Sequence, residues 1–338
     1  MFELVSGLPL GALLGGLAGS LLLIPLLIRL APGVRLVAHP NERSSHVNPT
    51  PTGGGIAIAL PVLAWCAVSP EPFGRYLAIG GGIIALVGLM DDVLDLPALF
   101  RFLTQITVIG WFISVAWPEA TLLWHLTAGL GMLWFVNLFN FMDGIDGLAA
   151  SQALLYCLGV LLLTGAMLTW TESLLWMVAG SCLGFVMFNW PPARVFMGDA
   201  GALLLGLSLP ALAIELDQTG YLPISVSLLL LLVFIFDTSW TLGVRVITRQ
   251  KFTTAHRSHL YQRLAIRYGH LRTTIGFILY FVVVLLPLAW LMTHGKLGEG
   301  WIFLAAIVPI LLLSLAHSAG KAPNHADSAD QPDTEAST

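Results

Sequence analysis

Charge is what this sequence has least of. Asp, Glu, Lys and Arg together make up 10% of its 338 residues, against about 25% in a soluble domain. That scarcity excludes an ordinary water-soluble globule. Cysteine is nearly absent too. Cys66, Cys157 and Cys182 fall inside apolar runs at unrelated spacings, which argues against a disulfide framework or a thiolate metal site. Alternating ten-residue segments are missing, so a membrane β-barrel is excluded. No internal repeat is visible, which disfavours transporters built from inverted repeats.

What is present is apolar. Hydrophobic residues make up 57% of the chain, and the mean hydropathy is +0.85. The apolar runs are about 17–25 residues long, the length of a membrane-spanning helix. They predict an all-α, polytopic membrane protein of about 10–11 transmembrane helices. The expected spans lie near 4–30, 53–69, 75–90, 99–117, 121–138, 148–168, 174–190, 199–216, 222–240, 272–293 and 299–317. The first lacks the basic start and small-residue cleavage site of a signal segment, so it is read as a span. Residues 1–317 are read as one membrane domain. The stretch 318–338, polar and rich in Ala, Asp, Ser and Pro, is expected to be a disordered tail.

The few charges are unevenly placed. If the first span starts outside, all of the 15 Lys and Arg except Arg75 and Lys296 fall on inner loops or inner helix ends. By the positive-inside bias those loops are cytoplasmic, including the tail. The polar clusters at 39–55, 91–95, 137–147, 189–199 and 237–259 then share the cytoplasmic side. An active site at that surface is expected, rather than a path through the midplane.

The densest cluster is Asn137-Leu-Phe-Asn140-Phe-Met-Asp143-Gly144-Ile-Asp146-Gly147. Its polar residues recur every third position, and its glycines predict a helix end opening into a tight loop that gathers oxygen ligands. A calcium loop counted from Asp143 would need a bidentate acid at Leu154, so that reading fails. Asp91 and Asp92, with Asp95, end the third span. Adjacent carboxylates at a helix C-terminus are unfavourable, so a metal ion or Arg101 should offset them. A solvated acid pair is the bland alternative. Asp199 opens a later span, where it could simply cap the helix. Phe196 beside Gly198 could be core packing or a stacking platform for a base.

His39, Arg43, Ser44, Ser45, His46 and Thr52 precede Gly53-Gly54-Gly55, which is either a weak phosphate-binding signal or a tight turn into a helix. Arg263 and Arg267 flank an apolar stripe of Leu260, Leu264, Tyr268 and Leu271, the pattern of an interfacial helix. His256-Arg257-Ser258-His259 instead groups side chains able to contact phosphate. Hard oxygen donors favour Mg2+ or Mn2+ over Zn2+. With basic residues alongside, they suggest phosphoryl-group transfer involving a lipid.

In combination, PTGGG (51–55), DDVLDL (91–96), NLFNFMDGIDGLA (137–149), VFMGDAG (195–201) and HRSH (256–259) resemble the polyprenyl-phosphate N-acetylhexosamine-1-phosphate transferases. The resemblance covers nearly the whole chain apart from the tail. It implies transfer of an N-acetylhexosamine 1-phosphate from a UDP-sugar to undecaprenyl phosphate, with UMP released and Mg2+ required. By position it implies Asn140 and Asp199 as Mg2+ ligands, and Gly144, Asp146 and Phe196 as the uracil pocket. It implies Arg101 on the pyrophosphate and Asp91 and Asp92 as an acidic pair orienting or deprotonating the lipid phosphate. Asn137 and Asp143 would support the nucleotide loop, while His256, Arg257 and His259 would face phosphate and sugar. Ser258 stands where the GlcNAc-transferring branch has a further His. That departure points to O-antigen or other surface-polysaccharide initiation, with a 6-deoxyhexosamine donor or UDP-GlcNAc. The alternatives are a phospho-N-acetylmuramoyl-pentapeptide transferase-like enzyme, a lipid-linked sugar transporter and a lipid-holding scaffold. The expected partners are the bacterial inner membrane, its polyprenyl phosphate and the UDP-sugar. No nucleic acid is expected, and a homodimer is compatible.

Overall fold

A computed structural model describes residues 2–34, 36–38, 49–167, 169–250 and 256–321, with backbone alone for 2–7. His39, Arg43, Ser44, Ser45 and His46 lie outside the described residues, as does 322–338 of the expected tail.

Helices dominate. They run α1 Phe2–Leu30, α2 Ile56–Ala67, α3 Pro72–Leu94, α4 Ala98–Ala116, α5 Leu122–Met142, α6 Leu148–Thr164, α7 Trp170–Asn189, α8 Gly198–Gln218, α9 Ile224–Leu230, α10 Leu232–Ile247, α11 Leu260–Tyr268, α12 His270–Tyr280, α13 Leu286–Thr293 and α14 Glu299–Ala316. A π-turn at Phe281–Leu285 joins α12 to α13. Two short antiparallel strands, β1 Val37–Ala38 and β2 Thr50–Pro51, pair outside the bundle. Every expected apolar run is helical. Among the described residues, 8 helices are long and apolar enough to cross a membrane, or up to 9 if α9 and α10 form one broken span. The other two expected runs, α2 and α6, are shorter apolar helices. This is a multi-pass, all-α membrane protein.

α8 is the axis of the bundle and is buried along most of its length, against α2, α3 and α5. α1 packs on α7 through small residues. A Cβ on Gly180 would lie 2.2 Å from the Leu13 carbonyl oxygen, and one on Gly16 would lie 2.4 Å from that of Met177. Only glycine lets two backbones come that close, the usual device for helix association where lipid removes the hydrophobic drive. Ser20 completes the seam, donating its hydroxyl to the carbonyls of Ala57 and Ser181, both at 2.8 Å.

α9 and α10 meet at a 72° bend with no Pro or Gly between them. Buried Gln152 of α6 donates to the Leu230 carbonyl at the break, at 3.1 Å. A side chain that satisfies a freed carbonyl is a recognised cause of a sharp bend. The first residues of the expected tail stay with the bundle. The Gly320 N–H donates to the Ser258 carbonyl at 2.8 Å, and Gln250 Nε2 donates to the Gly320 carbonyl at 3.0 Å.

Candidate active site

Asp91 and Asp92 are neighbours in sequence with different partners. Asp91 pairs with Arg101 of α4, and its other oxygen accepts the Leu96 N–H at 2.7 Å. That bond closes the turn where Asp95, at φ +54°, ends α3. Asp92 crosses to α8. Its Oδ1 accepts the Asp199 N–H at 3.0 Å, and its Oδ2 lies 3.5 Å from the Ala200 nitrogen. The unfavourable carboxylate pair is thus offset twice, by a guanidinium and by the positive end of a second helix. Arg101 Nη1 also reaches Asp199 Oδ2 at 3.2 Å. One arginine therefore serves two carboxylates. Asp199 does not cap its own helix; Asp92 does so, leaving the Asp199 carboxylate turned to Arg101.

The 137–147 stretch opens as expected. α5 ends at Met142, and the Asp143 N–H reaches back to the Asn140 carbonyl at 3.3 Å. The side chains of Asn140 and Asp143 are half-buried and make no hydrogen bond among the described residues. Burial, and then the negative charges of Asp199, Asp92 and Asp146, raise the Asp143 carboxyl well above its ordinary range. Gly147, at φ +75°, turns the chain into α6. Its N–H donates to Asn189 Oδ1 at 2.8 Å, and Asn189 Nδ2 donates to the Val195 carbonyl at 2.8 Å. Asn189 thereby fastens the 143–147 loop to the 193–199 segment. The Ala193 N–H does the same through Asp146 Oδ2, at 3.0 Å.

The triple glycine is a structural turn. The Gly54 and Gly55 N–H groups donate to the carbonyls of Phe196 and Met197 at 2.9 and 2.7 Å, and the Phe196 N–H donates to the Pro51 carbonyl at 2.8 Å. Those glycine donors are engaged with protein, which removes them as phosphate ligands. The half-buried Phe196 side chain sits on this short ladder.

The basic loop closes another side. Asp237, fully buried in α10, accepts the N–H groups of Leu260 and Tyr261 at 2.8 and 2.9 Å and so caps α11. Buried His259 turns Nδ1 toward Asp237 at 3.6 Å and stacks on His256 with ring centroids 5.1 Å apart. His256 Nδ1 lies 2.9 Å from Ser258 Oγ. Burial, then His259 and Arg245, push the His256 imidazole down to about 4. A side chain held that low offers phosphate or sugar a hydrogen bond rather than a charge near pH 7. The Tyr261 hydroxyl donates to the Phe141 carbonyl at 2.7 Å and ties this loop to the end of α5. Between them lies a cavity of about 320 Å³ lined by Gly144, Ile145, Arg257, Gln262 and His270, among others.

The expected residues therefore gather at one end of the bundle, with one exception. Asn137 donates to Gln105 Oε1 and to the Leu133 carbonyl, both at 2.8 Å. It clamps α5 to α4 inside the bundle, because the buried Gln105 amide needs a polar partner there. Among the described residues, its side chain makes no hydrogen bond to the 143–147 loop that it was expected to support. Residues not anticipated as parts of the site are Asn189, Tyr261, His270 and Thr274. Each acts on a residue far away in the chain, so only Asn189, beside a helix-stopping proline pair, left a local signal.

Oxygen donors, one shared arginine and a neighbouring cavity suit an ion and phosphates. Residues 75–217 match glycosyl transferase family 4. Over 264 residues, 72% of this chain and 74% of the relative, the chain is 31% identical to a probable undecaprenyl-phosphate N-acetylglucosaminyl 1-phosphate transferase of Bacillus subtilis (strain 168). It is 29% identical over 364 residues, 91% of each protein, to a decaprenyl-phosphate N-acetylglucosaminephosphotransferase of Mycobacterium leprae. It is also 31% identical over 335 residues, 87% of this chain and 97% of the relative, to a phospho-N-acetylmuramoyl-pentapeptide-transferase of Symbiobacterium thermophilum.

Proposed function

The chain belongs to the polyprenyl-phosphate N-acetylhexosamine-1-phosphate transferase family, and from that membership we propose that it moves an N-acetylhexosamine 1-phosphate from a UDP-sugar to undecaprenyl phosphate. A terminal oxygen of the lipid phosphate attacks the sugar-linked phosphorus in line. The bond from that phosphorus to the bridging oxygen breaks, and the bridging oxygen leaves with UMP. Lipid phosphate and sugar phosphate end joined as a pyrophosphate. Both reactants are anions, so neutralising their charge is the main catalytic task. The lipid phosphate needs little deprotonation, since its second pKa is about 6.

The observation that carries this reading is the arrangement of Asp91, Arg101, Asp199, Asp92 and Asp143, an acidic group in which Arg101 is shared by two carboxylates. The donor set suits Mg2+, and Mn2+ by the same chemistry. Among the described residues, Asn140 and Asp143 offer side-chain oxygens with no hydrogen bond, and Asp199 offers one beside Arg101. Among the described residues, no three His, Cys, Asp or Glu side chains form a metal cage. That is how Mg2+ is usually held, by one or two carboxylates with substrate phosphates and water. Asn140 and Asp199 would hold the ion, which supplies charge neutralisation on the pyrophosphate. Arg101 binds phosphate oxygen beside it, Asp92 keeps Asp199 in place, and Arg257 with Gly144 borders the cavity for the donor.

The names of the relatives favour an N-acetylglucosamine-type sugar. Ser258, held between His256 and Arg245, keeps a 6-deoxyhexosamine and surface-polysaccharide initiation as the finer reading. The placement of Lys and Arg supports a site facing the cytoplasm at the bacterial inner membrane. Purified protein given undecaprenyl phosphate, Mg2+ and a panel of UDP-HexNAc donors should release UMP, and a chelator should stop it. Asp199→Ala should abolish release while the protein stays folded. Full turnover in that variant would refute the metal assignment.

A further inference from the structure

We propose that the gap between α12 and α14 binds one anionic phospholipid, its phosphate on Arg272 and part of an acyl chain in the cavity behind. The proposal does not depend on which reaction the candidate site performs. The cavity holds about 300 Å³, with Leu264 of α11, Phe277 of α12 and Ile310 of α14 among its apolar walls. Exposed Arg272 lines it in the first turn of α12. Tyr280 lines it eight residues on, about 12 Å along the helix.

The space has a structural origin. α14 packs on α9, α10 and α13. It stands off from α12, which it meets through the Tyr280 hydroxyl donating to the Ala306 carbonyl. Just beyond Tyr280 the helix widens into the π-turn Phe281–Leu285, a feature frequent at functional sites. Gly276 also lines the gap, and a Cβ there would meet nothing within 4 Å. No neighbour requires a glycine at that position, and glycine weakens a helix interior. What it gains is the open volume.

Charge selects the occupant. Arg272 makes no hydrogen bond or ion pair among the described residues. No Asp or Glu occurs between Leu260 and Gly298. Arg267 lies over the Tyr268 ring, 5.4 Å from its centroid, and Arg263 Nη2 donates to the Lys321 carbonyl at 2.6 Å. The rim is therefore basic without an acid of its own. A guanidinium fork above an apolar slot matches a phosphate diester that carries an acyl chain. A free phosphate would leave the slot unfilled, and a zwitterionic lipid would bring a second cation to a basic rim. A lipid phosphate due to react must reach Arg101 and Asp199, yet neither α4 nor α8 lines this cavity. Another side of α12 serves the candidate site: the Asp146 N–H donates to His270 Nδ1 at 3.4 Å, and the Asp146 carbonyl accepts the Thr274 hydroxyl at 2.8 Å.

The test uses the full chain in detergent, with phosphatidylglycerol and phosphatidylcholine of matched chains as probes. Native mass spectrometry counts the lipid retained, and unfolding temperature is read with and without each lipid. Wild type should retain one phosphatidylglycerol at least about tenfold more tightly than phosphatidylcholine, as for one charge-assisted hydrogen bond. Arg272→Gln should lose that preference. Gly276→Leu fills the cavity and should lose the bound lipid of either kind. In lipid-free detergent it should unfold no lower than wild type, because leucine is the better helix former. Phosphatidylglycerol should raise the unfolding temperature of wild type and not that of Gly276→Leu. Equal retention of the two lipids by wild type, or wild-type retention of phosphatidylglycerol by either variant, overturns the proposal. Displacement of phosphatidylglycerol by an equal concentration of undecaprenyl phosphate overturns the choice of occupant. If Gly276→Leu fails to fold, Arg272→Gln, which changes an exposed side chain, decides alone.

Discussion

Asp92, at the end of α3, closes the first turn of α8 by accepting the main-chain N–H of Asp199 at 3.0 Å. The bond joins the acidic pair to the carboxylate expected to hold the metal. It also explains Gly198. That residue sits at φ +72°, and a Cβ there would lie 2.6 Å from Asp92 Oδ2 and 2.9 Å from the Gly53 nitrogen.

Asp92→Ala should therefore lower stability as well as activity. Losing the cap leaves donors of α8 unpaired, at a cost of about 1–3 kcal/mol. Gly198→Ala should be at least as harmful, since left-handed backbone costs a non-glycine residue about 1–2 kcal/mol before the clash is counted. Thermal unfolding beside UMP release checks both. Asp92→Ala with wild-type stability and no activity would show a purely chemical role for Asp92.

Arg101 neutralises two acids that come from different helices. Arg101→Ala should lower kcat/KM by about 10²–10³-fold, the usual cost of losing one donor to a charged transition state. Lysine should recover only part, because a point charge cannot match the planar fork of a guanidinium. UMP release under saturating Mg2+ measures both. A lysine variant as active as wild type would reduce Arg101 to a simple counter-charge.

His256 gives a pH dependence of definite sign. Burial, His259 and Arg245 push it down to about 4 from 6.5. The unfolded chain takes up a proton below about 6.5, while the folded one resists until about 4. Its contribution to stability is therefore present above pH 6.5 and fades as pH falls toward 4. Unfolding temperatures across that window should drop more steeply in wild type than in His256→Gln. Parallel curves would place the pH sensitivity elsewhere.

Hydropathy made the helices legible, because each apolar run needed only its own composition. The adjacent acids could be read as needing a cation, and Arg101 is that cation. The bend between α9 and α10 could not be read, since its residues are leucines and its cause is Gln152, far away on α6. The division of labour between Asp91 and Asp92 was hidden for the same reason: α8 has to be packed on α3 before Asp92 has a helix to cap. Asn137 faces a buried Gln105, which its place in the three-residue period did not reveal, since that period looks the same whether a side chain faces a ligand or a neighbouring helix. His270 sits beyond every motif, and only the fold brings it to Asp146.

Asp143 links proton and metal. Without a cation, burial and the charges of Asp199, Asp92 and Asp146 raise its pKa well above the ordinary range. A raised acid contributes stability fully below its unfolded pKa of about 3.9 and loses it as pH rises through the folded value. A divalent ion among the same oxygens replaces the proton, so the two compete. Mg2+ should therefore raise the unfolding temperature more at a pH above that folded value than at one below it. The gain should approach about 2.7 kcal/mol when free Mg2+ is a hundred times its dissociation constant. Asp143→Asn should lose most of the difference between the two pH values, having no proton to release. Asp199→Ala should lose the Mg2+ effect at both. Calorimetric unfolding with and without Mg2+, run against Ca2+ as a control for general ionic effects, measures this directly. Equal Mg2+ stabilisation in wild type and Asp199→Ala would place the ion somewhere other than beside Arg101.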